Sequence, residues 1–290
     1  MLWHHATGTL SLDRPRILGI VNMTPDSFSD GGRLRTLDDA CRHVERLVAE
    51  GADVIDVGGE STRPQQATPV GMNDERRRVL PVIEAVHARF PEVPVSIDTV
   101  KAAVARDALA AGASIVNDVS AFRLDDRMPA VCAAARAGVV LMHSRGGVAD
   151  MATFTYATYG DDVAGEVIAD LAPRIDAAVR AGVATERITI DPGIGFSKRG
   201  DQSLAVLSAL ERFVALGFPV LVGPSRKRFI GEITGVAAPA ERMAGTVGAC
   251  VAALDRGALL FRVHDVRPAR QALDVAWAIR QSAAMGAPAL

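Results

Sequence analysis

Eight short apolar runs recur along the chain, and each one ends in polar residues. The first reads ILGIVN and is followed directly by the polar stretch MTPDSFSDGG. Runs that are nearly continuous in apolar residues are typical of parallel strands covered on both faces, because neither face meets water. The pattern therefore predicts eight buried parallel strands, within residues 17–22, 53–61, 94–99, 114–120, 139–144, 188–195, 220–227 and 258–265.

Amphipathic, alanine-rich stretches separate the predicted strands, among them residues 38–52, 101–113 and 268–283. The first two close on a glycine, which is a common helix terminus. Eight strand–helix units in one domain are the number that closes a (β/α)₈ barrel. We therefore predict an α/β fold, a single-domain (β/α)₈ TIM barrel over residues 1–290. The segment before residue 16 is predicted to form a short N-terminal hairpin or plug.

Composition and charge limit the partners of the chain. Its 290 residues include 32 Lys and Arg against 34 Asp and Glu, and this net charge of -2 gives no general attraction to nucleic acid or anionic membrane. The three cysteines lie far apart without a C-x-x-C pair, and the N-terminal segment lacks a signal-peptide pattern. We expect small-molecule substrates, no nucleic acid, no membrane and a cytoplasmic location.

The active site of a TIM barrel forms at the C-terminal ends of its strands. At these ends Asp98, Asn117 and Asp191 offer acceptors and an amide suited to a flat heterocycle with N–H groups along its edge. The loop at 22–32, with Asn22 at its base, is suited to close over an anion and to help hold a hard metal such as Mg²⁺. Cationic donors suited to phosphate or carboxylate are also present, namely Arg63, Lys227, Arg262 and His264.

Seven sequence blocks resemble those of the dihydropteroate synthase family, in the same order, from about residue 16 almost to the C-terminus. A single block such as SRK would be weak support, but seven ordered blocks at plausible separations argue against a chance match. The blocks are NMTPDSFSDGG (22–32), DVGGESTRP (56–64), SIDT (96–99), NDVS (117–120), DPGIGF (191–196), GPSRKRFIG (223–231) and RVHDV (262–266).

The resemblance implies a transferase reaction of folate biosynthesis, in which 6-hydroxymethyl-7,8-dihydropterin pyrophosphate and p-aminobenzoate give 7,8-dihydropteroate and pyrophosphate. It implies pterin contacts from Asp98, Asn117, Met142, Asp191, Phe196, Gly223, Lys227 and Arg262. It implies p-aminobenzoate contacts from Thr62, Arg63, Pro64 and Ser225, and pyrophosphate contacts from Asn22, Arg63, Arg262 and His264. Mg²⁺ would be the cofactor, held by Asn22, and catalysis would fall to Asp98, Lys227, Arg262 and His264.

Cleavage of the pterin CH₂–O bond leaves positive charge on the methylene carbon and negative charge on pyrophosphate. A catalyst should therefore place anions near the first and cations near the second. The sequence contains no obvious activated nucleophile. We expect a dissociative substitution without a covalent enzyme intermediate, with Asp98 near the methylene and Arg262, His264 and Mg²⁺ near the pyrophosphate.

Simpler interpretations exist for each of these residues. Asp98 and Thr99 precede a predicted helix and are common capping residues. Lys227 and its arginine neighbours could be a solvated cluster, and Met142 and Phe196 could be ordinary core residues. The joint occurrence of these residues at strand ends, inside matching blocks, favours the functional interpretation.

Two other functions are alternatives. A methyltetrahydrofolate–corrinoid methyltransferase shares the pterin-binding barrel, but it needs no pyrophosphate site, so the NMTPDSFSDGG, ESTRP and SRK segments argue against it. A binding module that has lost catalysis is the second alternative. It is disfavoured because every proposed pterin and phosphate contact is present.

The clearest departure from the family pattern follows the fifth strand. There MHSRGGVADMATFTYATYGDD (142–162) replaces a His-Met-x-Gly-x-Pro-like stretch. We expect Arg145 in this loop to be an added surface cation near the barrel mouth. The family often has a small residue at the position of Arg228, so the affinity for p-aminobenzoate could differ from the usual case.

A homodimer is also implied by the resemblance, through helices late in the chain. An apolar stripe at helical spacing supports this placement, although it could equally belong to the core of the chain. The stripe consists of Met243, Val247, Val251 and Leu254.

Overall fold

The computed structural model describes residues 1–23, 36–61 and 70–286. It contains a parallel eight-stranded sheet surrounded by helices, and a separate antiparallel hairpin at the N-terminus. The hairpin strands are β1 (Leu2–His5) and β2 (Gly8–Ser11). The strands of the large sheet are β3 (Arg16–Asn22), β4 (Val54–Gly58), β5 (Val95–Asp98), β6 (Ile115–Asp118), β7 (Gly138–Met142), β8 (Ile188–Asp191), β9 (Leu221–Val222) and β10 (Leu260–Val263).

Helices connect successive strands of the large sheet. Short 3₁₀ turns also occur at Thr185–Arg187 and Pro239–Glu241. In the described ranges the helices are α1 (Leu37–Ala49), α2 (Met72–Arg89), α3 (Ala102–Ala110), α4 (Met128–Ala134), α5 (Val163–Arg180), α6 (Gly200–Ser208), α7 (Leu210–Val214), α8 (Arg228–Thr234), α9 (Met243–Asp255) and α10 (Val266–Gly286).

The eight parallel strands form a nearly closed barrel. Strands β3 to β8 pair in chain order, and β10 lies between β3 and β9. An isolated parallel bridge between Ile190 and Val220 joins β8 to the segment just before β9. Here the N–H of Ile190 donates to the carbonyl oxygen of Pro219 at 3.0 Å. The predicted (β/α)₈ barrel is confirmed, whereas the single domain over residues 1–290 stays a prediction.

Both faces of the barrel sheet are buried. Successive residues of a strand point to opposite faces, so each strand sends one set of side chains outward and one set inward. The outward set, which includes Ile55 and Phe261, packs against helix residues such as Leu47 of α1 in a large apolar core. All three of these residues are fully buried. This dry packing on both faces explains why the strands read as nearly continuous apolar runs.

The N-terminal hairpin fills the end of the barrel where the strands begin. Trp3 is fully buried, and its Nε1–H donates to the backbone carbonyl of Arg187 at 2.9 Å. The predicted N-terminal hairpin is confirmed, and this hairpin also plugs the barrel. Together with Leu12, Trp3 packs against the inward side chains of Leu18, Val54, Ile115, Val140, Leu221 and Leu260.

The helix that follows β5 does not use Asp98 as its cap, while the hydroxyl of Thr99 accepts the N–H of Lys101, the residue before the helix, at 3.2 Å. Helix α3 begins at Ala102, and the residue at its cap position, Lys101, makes no side-chain capping bond. The N–H of Ala102 instead donates to Oδ2 of Asp125 at 3.0 Å. The interpretation of Asp98 as a helix cap is thus wrong. Its carboxylate pairs with Arg262.

Candidate active site

A cavity of about 540 Å³ opens where the barrel strands end. Its lining side chains point into the barrel, like those that pack around Trp3, but they stand two residues further along each strand. Asn117 is thus the next inward residue after Ile115, and Arg262 is the next after Leu260. The strand period of two therefore places the polar strand ends around one space. The predicted site residues that line it are Asn22, Asp98, Asn117, Met142, Asp191, Phe196, Gly223, Ser225, Lys227, Arg262 and His264. Their individual roles stay predictions.

Arg262 is held between two carboxylates. Its Nε donates to Oδ2 of Asp56 at 2.6 Å, and its Nη2 donates to Oδ2 of Asp98 at 2.7 Å. Burial acts to lower the pKa of Arg262, but Asp56 and Asp98 outweigh burial and raise the pKa. Burial also raises the pKa of Asp98, while Arg262 opposes that increase. Because a guanidinium has five N–H groups, three of them are left for a ligand.

Asp191 presents one carboxylate oxygen to the cavity. Its Oδ1 accepts the N–H of Gly193 at 2.7 Å, which holds the turn after β8 against the carboxylate. Burial raises the pKa of Asp191 to about 6, and the bond from Gly193 opposes the increase. The second oxygen, Oδ2, makes no hydrogen bond within the described part of the chain and is available to a ligand N–H.

Lys227 lies over an aromatic ring at the same end of the cavity. Its Nζ is 3.8 Å from the ring centre of Phe196, within the range of a cation–π interaction. Gly195 allows this approach, because a Cβ there would lie 2.9 Å from Cδ of Lys227. Burial lowers the pKa of Lys227 to about 7, with Asp191 acting in the opposite direction.

Ser225 and His264 lie together beyond the ends of the neighbouring strands β9 and β10. The hydroxyl of Ser225 is 3.0 Å from Nδ1 of His264 and accepts the backbone N–H of His264 at 3.2 Å. The direction of this side-chain contact depends on the tautomer of His264: Ser225 Oγ–H donates when the ring proton is on Nε2, and Ser225 Oγ accepts when it is on Nδ1.

Three predicted p-aminobenzoate contacts, Thr62, Arg63 and Pro64, lie outside the described residues. The same holds for residues 24–32 of the loop that follows Asn22. Within the described ranges, no group of three or more His, Cys, Asp or Glu side chains is arranged to hold a metal ion.

Asp56 is a functional candidate that the sequence analysis missed. Asp56 is fully buried. Besides Arg262, it contacts the side-chain amide of Asn117, whose Nδ2 donates to Oδ2 of Asp56 at 3.4 Å. The available signal was a carboxylate in the middle of the apolar run VIDVG. A charged residue inside a buried strand needs a partner, and that partner is 206 positions away in the chain.

Lys198 is a second missed residue. It is 1% exposed, and its Nζ donates to the carbonyl oxygens of Gly193 and Phe196, both at 3.2 Å. Its Nζ also lies 2.8 Å from Nδ1 of His143, whose Nε2 lies 3.0 Å from Oδ2 of Asp170. Burial lowers the pKa of Lys198 to about 7. The lysine thus ties the turn that carries Phe196 to the end of β7.

The structure corrects the expectation for Arg145. Its guanidinium pairs with Asp170 at 2.9 Å and Glu166 at 3.1 Å, and it stacks over the ring of Tyr159 at 4.0 Å. Arg145 is half-buried and does not line the 540 Å³ cavity. It anchors the unusual loop after β7 to helix α5, so it is a paired, half-buried cation.

Comparisons with known proteins agree with this geometry. The family described as pterin binding enzyme matches residues 18–264. A dihydropteroate synthase from Synechocystis is 44% identical over 92% of this chain and 90% of its own length. One from Xanthomonas albilineans, solved with 4-aminobenzoic acid, has 48% identity and a TM-score of 0.87, over 97% of this chain and 96% of that one. The same enzyme solved with 7,8-dihydropteroate has 45% identity and a TM-score of 0.84, over 97% of each chain.

The chain therefore belongs to the pterin-binding enzyme family. Within that family it is homologous over most of its length to the dihydropteroate synthases, and its activity is that of this transferase of folate synthesis. In the parts of the chain that are described, no helix has the length and apolar character needed to cross a bilayer.

Proposed function

We propose that the chain condenses 6-hydroxymethyl-7,8-dihydropterin pyrophosphate with p-aminobenzoate, by dissociative substitution at the pterin methylene. The observation that carries this proposal is one cavity in which buried carboxylates and cations face each other at the strand ends. Its volume of about 540 Å³ lies within the range of small-molecule sites. The solved relatives with 4-aminobenzoic acid and 7,8-dihydropteroate support the same aromatic amine and the same product.

The pterin ring would lie in the deep part of the cavity, where unused acceptor atoms collect. Oδ2 of Asp191 would accept N–H groups from one edge of the ring. The amide oxygen of Asn117 would accept another, because its Nδ2 is already directed to Asp56. Met142 and Phe196 supply apolar surfaces for the ring, and Gly223 leaves room for it.

Bond cleavage would depend on Arg262 and its two carboxylates. As the CH₂–O bond breaks, the methylene becomes positive beside Asp98, and the unused N–H groups of Arg262 meet the departing pyrophosphate. His264 and Lys227 line the same cavity and add donors. A charge pair at roughly 4 Å and an effective dielectric near 20 is worth roughly 4 kcal/mol, so a few such contacts account for much of a large rate enhancement.

The aromatic amine of p-aminobenzoate would then attack the cationic methylene carbon. An amine attacking such a carbon is already nucleophilic, so no general base is required before the bond forms. The nitrogen loses its extra proton to water or pyrophosphate afterwards, which completes the substitution. A pterin trapped covalently on a side chain during turnover would contradict this sequence of steps.

Mg²⁺ is proposed as the cofactor, at the pyrophosphate end of the cavity. Asn22 offers an amide oxygen there, and Mg²⁺ typically uses few protein ligands together with waters and substrate phosphates. The donor set therefore fits this ion. When bound, Mg²⁺ would neutralise charge on the pyrophosphate.

A cytoplasmic homodimer is also proposed. The stripe in α9 is divided: Leu254 is fully buried inside the chain, whereas Met243 is 43% exposed. On α10, Val275 and Ile279 are 62% and 64% exposed, which leaves an apolar face for a second copy. Light scattering that shows a monomer at micromolar concentration would contradict the dimer.

A coupled assay of pyrophosphate release tests the proposed reaction. Release should require both p-aminobenzoate and the pterin pyrophosphate, should stop with a chelator, and should return when Mg²⁺ is added. A sulfonamide should compete with p-aminobenzoate and not with the pterin. Release without the amine, or methyl transfer to a cobalamin carrier, would contradict the proposal.

Replacing Asp191 by asparagine is expected to weaken pterin binding by about 10- to 100-fold, since a charge-assisted hydrogen bond is worth about 1.5–3 kcal/mol. The amide can also place a donor opposite an N–H edge of the ring. Isothermal titration with the pterin pyrophosphate measures the change. Binding at the wild-type level would show that Asp191 does not contact the ring.

A further inference from the structure

A second cavity, of about 360 Å³, lies between the loops that follow β6 and β7 and one face of helix α5. Among the described residues, Met142 is the only one that lines both this space and the reaction cavity at the strand ends. The second cavity is therefore a separate space that shares one wall with the first. Its volume lies at the small end of the range of ligand sites, and no step of the proposed reaction uses it.

The charged side chains around the second cavity are mostly cationic. Its described lining contains three arginines and one carboxylate: Arg123, Arg145, Arg174 and Asp170. Arg145 and Asp170 pair with each other at 2.9 Å, and Arg145 also pairs with Glu166 at 3.1 Å. These side chains satisfy one another. Within the described ranges, Arg123 and Arg174 are the lining arginines that make no ion pair.

Arg123 reaches the cavity from a sharply bent loop after β6. The two residues before it, Ala121 and Phe122, have left-handed backbones with φ of 50° and 64°. Nη2 of Arg123 donates to the backbone carbonyl oxygen of Gly146, in the loop after β7. Its Nε is buried and has no hydrogen-bond partner in the described part of the chain. Because native proteins rarely leave a buried donor without a partner, this atom indicates a missing acceptor.

Arg174 approaches the same cavity from α5 and is half-buried. No hydrogen bond or ion pair joins it to another described residue. Burial, and after it the charge of Arg174, lowers the pKa of Arg123, so the two guanidiniums are close enough to repel each other. An anion bound by both side chains would replace this repulsion with two attractions.

The hydroxyl groups at the cavity restrict the kind of ligand. Ser120 donates its hydroxyl proton to Oδ1 of Asp118, and Ser144 donates to the carbonyl oxygen of Val119, both at 2.6 Å. The unused donors are therefore guanidinium N–H groups, which suit a ligand group that only accepts. A phosphate group carries about −1.5 to −2 charge at pH 7 and three or more acceptor oxygens, so it can bridge two guanidiniums. A single carboxylate carries less charge and fits one guanidinium.

We propose that the second cavity binds a small phosphate-bearing anion through Arg123 and Arg174. This site is separate from the pyrophosphate position expected beside Arg262 and His264. It also gives the unusual loop after β7 a role, because the carbonyl of Gly146 holds the guanidinium of Arg123. The inference does not depend on the reaction proposed above.

Isothermal titration with inorganic phosphate tests the inference. Arg123→Met and Arg174→Met should each weaken one phosphate site by about 10-fold, the lower end for a lost hydrogen bond to a charged group. Any phosphate bound beside Arg262 should be unaffected. The KM values for both substrates should stay within about twofold of wild type, because neither arginine lines the reaction cavity. Arg174→Met breaks no described hydrogen bond, so it tests the site even if Arg123→Met fails to fold.

Tungstate, a heavy tetrahedral oxyanion, locates the site in a crystal of the wild-type protein. Its anomalous density should lie between Arg123 and Arg174. Density confined to the surroundings of Arg262 and His264 would overturn the inference. Titration with methyl phosphate identifies the source of the group: tighter binding than inorganic phosphate indicates a phosphate monoester, and weaker binding indicates the free ion.

Arg180→Met is the matched control, because Arg180 is an exposed arginine later on the same helix and does not line the cavity. Its phosphate affinity should equal that of wild type. An equal loss in Arg180→Met and Arg174→Met would show a general charge effect and would overturn the inference. Unchanged phosphate binding in Arg174→Met would do the same, as would tighter binding of acetate than of phosphate.

Discussion

Arg262→Met should lower kcat/KM by about 100- to 1000-fold, the loss typical of removing one electrostatic contact to the transition state. The guanidinium combines two functions that methionine cannot replace. It holds Asp56 and Asp98 at 2.6 Å and 2.7 Å, and it directs its remaining N–H groups into the cavity. Steady-state kinetics should show that kcat falls with kcat/KM, because the contact to pyrophosphate strengthens as charge develops.

The same substitution should destabilise the fold by about 3–5 kcal/mol, because it leaves buried carboxylates without their cation. Burial raises the pKa of Asp98 and the charge of Arg262 lowers it, so without Arg262 the pKa of Asp98 would rise further above its ordinary value. A carboxyl whose pKa is higher in the folded state binds more protons there, so stability increases as the pH falls. Urea unfolding should therefore show a smaller deficit at about pH 5 than at about pH 8.

Arg262→Lys is the informative control. Lysine keeps the positive charge but cannot bridge two carboxylates in the plane of a guanidinium, so it should recover part of the stability and little of the activity. Full activity in Arg262→Lys would show that a positive charge at this position is sufficient for catalysis, without the planar guanidinium. Wild-type stability in Arg262→Met would contradict the pairing seen with Asp56 and Asp98.

Trp3→Ala should destabilise the fold by about 3–5 kcal/mol, the usual cost of removing a fully buried large aromatic side chain. The indole fills the strand-start end of the barrel, where it contacts Leu18 and Leu260 among others. The reaction site lies at the other end, so kcat should change less than about twofold at a temperature where the variant is folded. Chemical denaturation and the coupled assay measure the two quantities separately.

Trp3→Phe separates packing from hydrogen bonding at this position. Phenylalanine keeps most of the apolar surface but loses the bond to the carbonyl of Arg187, which should cost about 1 kcal/mol. A large loss of kcat in Trp3→Ala, with unfolding unchanged, would mean that the plug acts on the reaction site.

Much of the fold could be predicted because it follows from local patterns. A strand buried on both faces must be apolar nearly throughout, so eight such runs separated by helices indicate a barrel. The ends of the runs then identify Asp98, Asn117 and Asp191, whose positions depend only on where a strand stops. Strand length was less predictable: the run at 220–227 gives a strand of two residues, Leu221–Val222. The segment after it turns into α8.

Pairing between distant charges could not be predicted in the same way. Asp56 lies inside a strand and was overlooked, although it is the fully buried partner of Arg262. Arg145 is predicted to be a surface cation, and the structure shows it half-buried and tied to Asp170 and Glu166 on α5. In both cases the sequence identifies the charge but not its partner, because a charge pairs with whatever the fold brings within about 4 Å.

By itself the sequence determined the strand and helix alternation, the polar strand ends and the family to which the chain belongs, because hydrophobic periodicity and short motifs are properties of contiguous residues. Only the tertiary structure decided that Trp3 seals one end of the barrel, that Asp56 and Asp98 share Arg262, and that Arg145 anchors the loop after β7 to α5. These contacts join residues far apart in the chain. Their energies depend on distance and burial, which exist only once the barrel has closed.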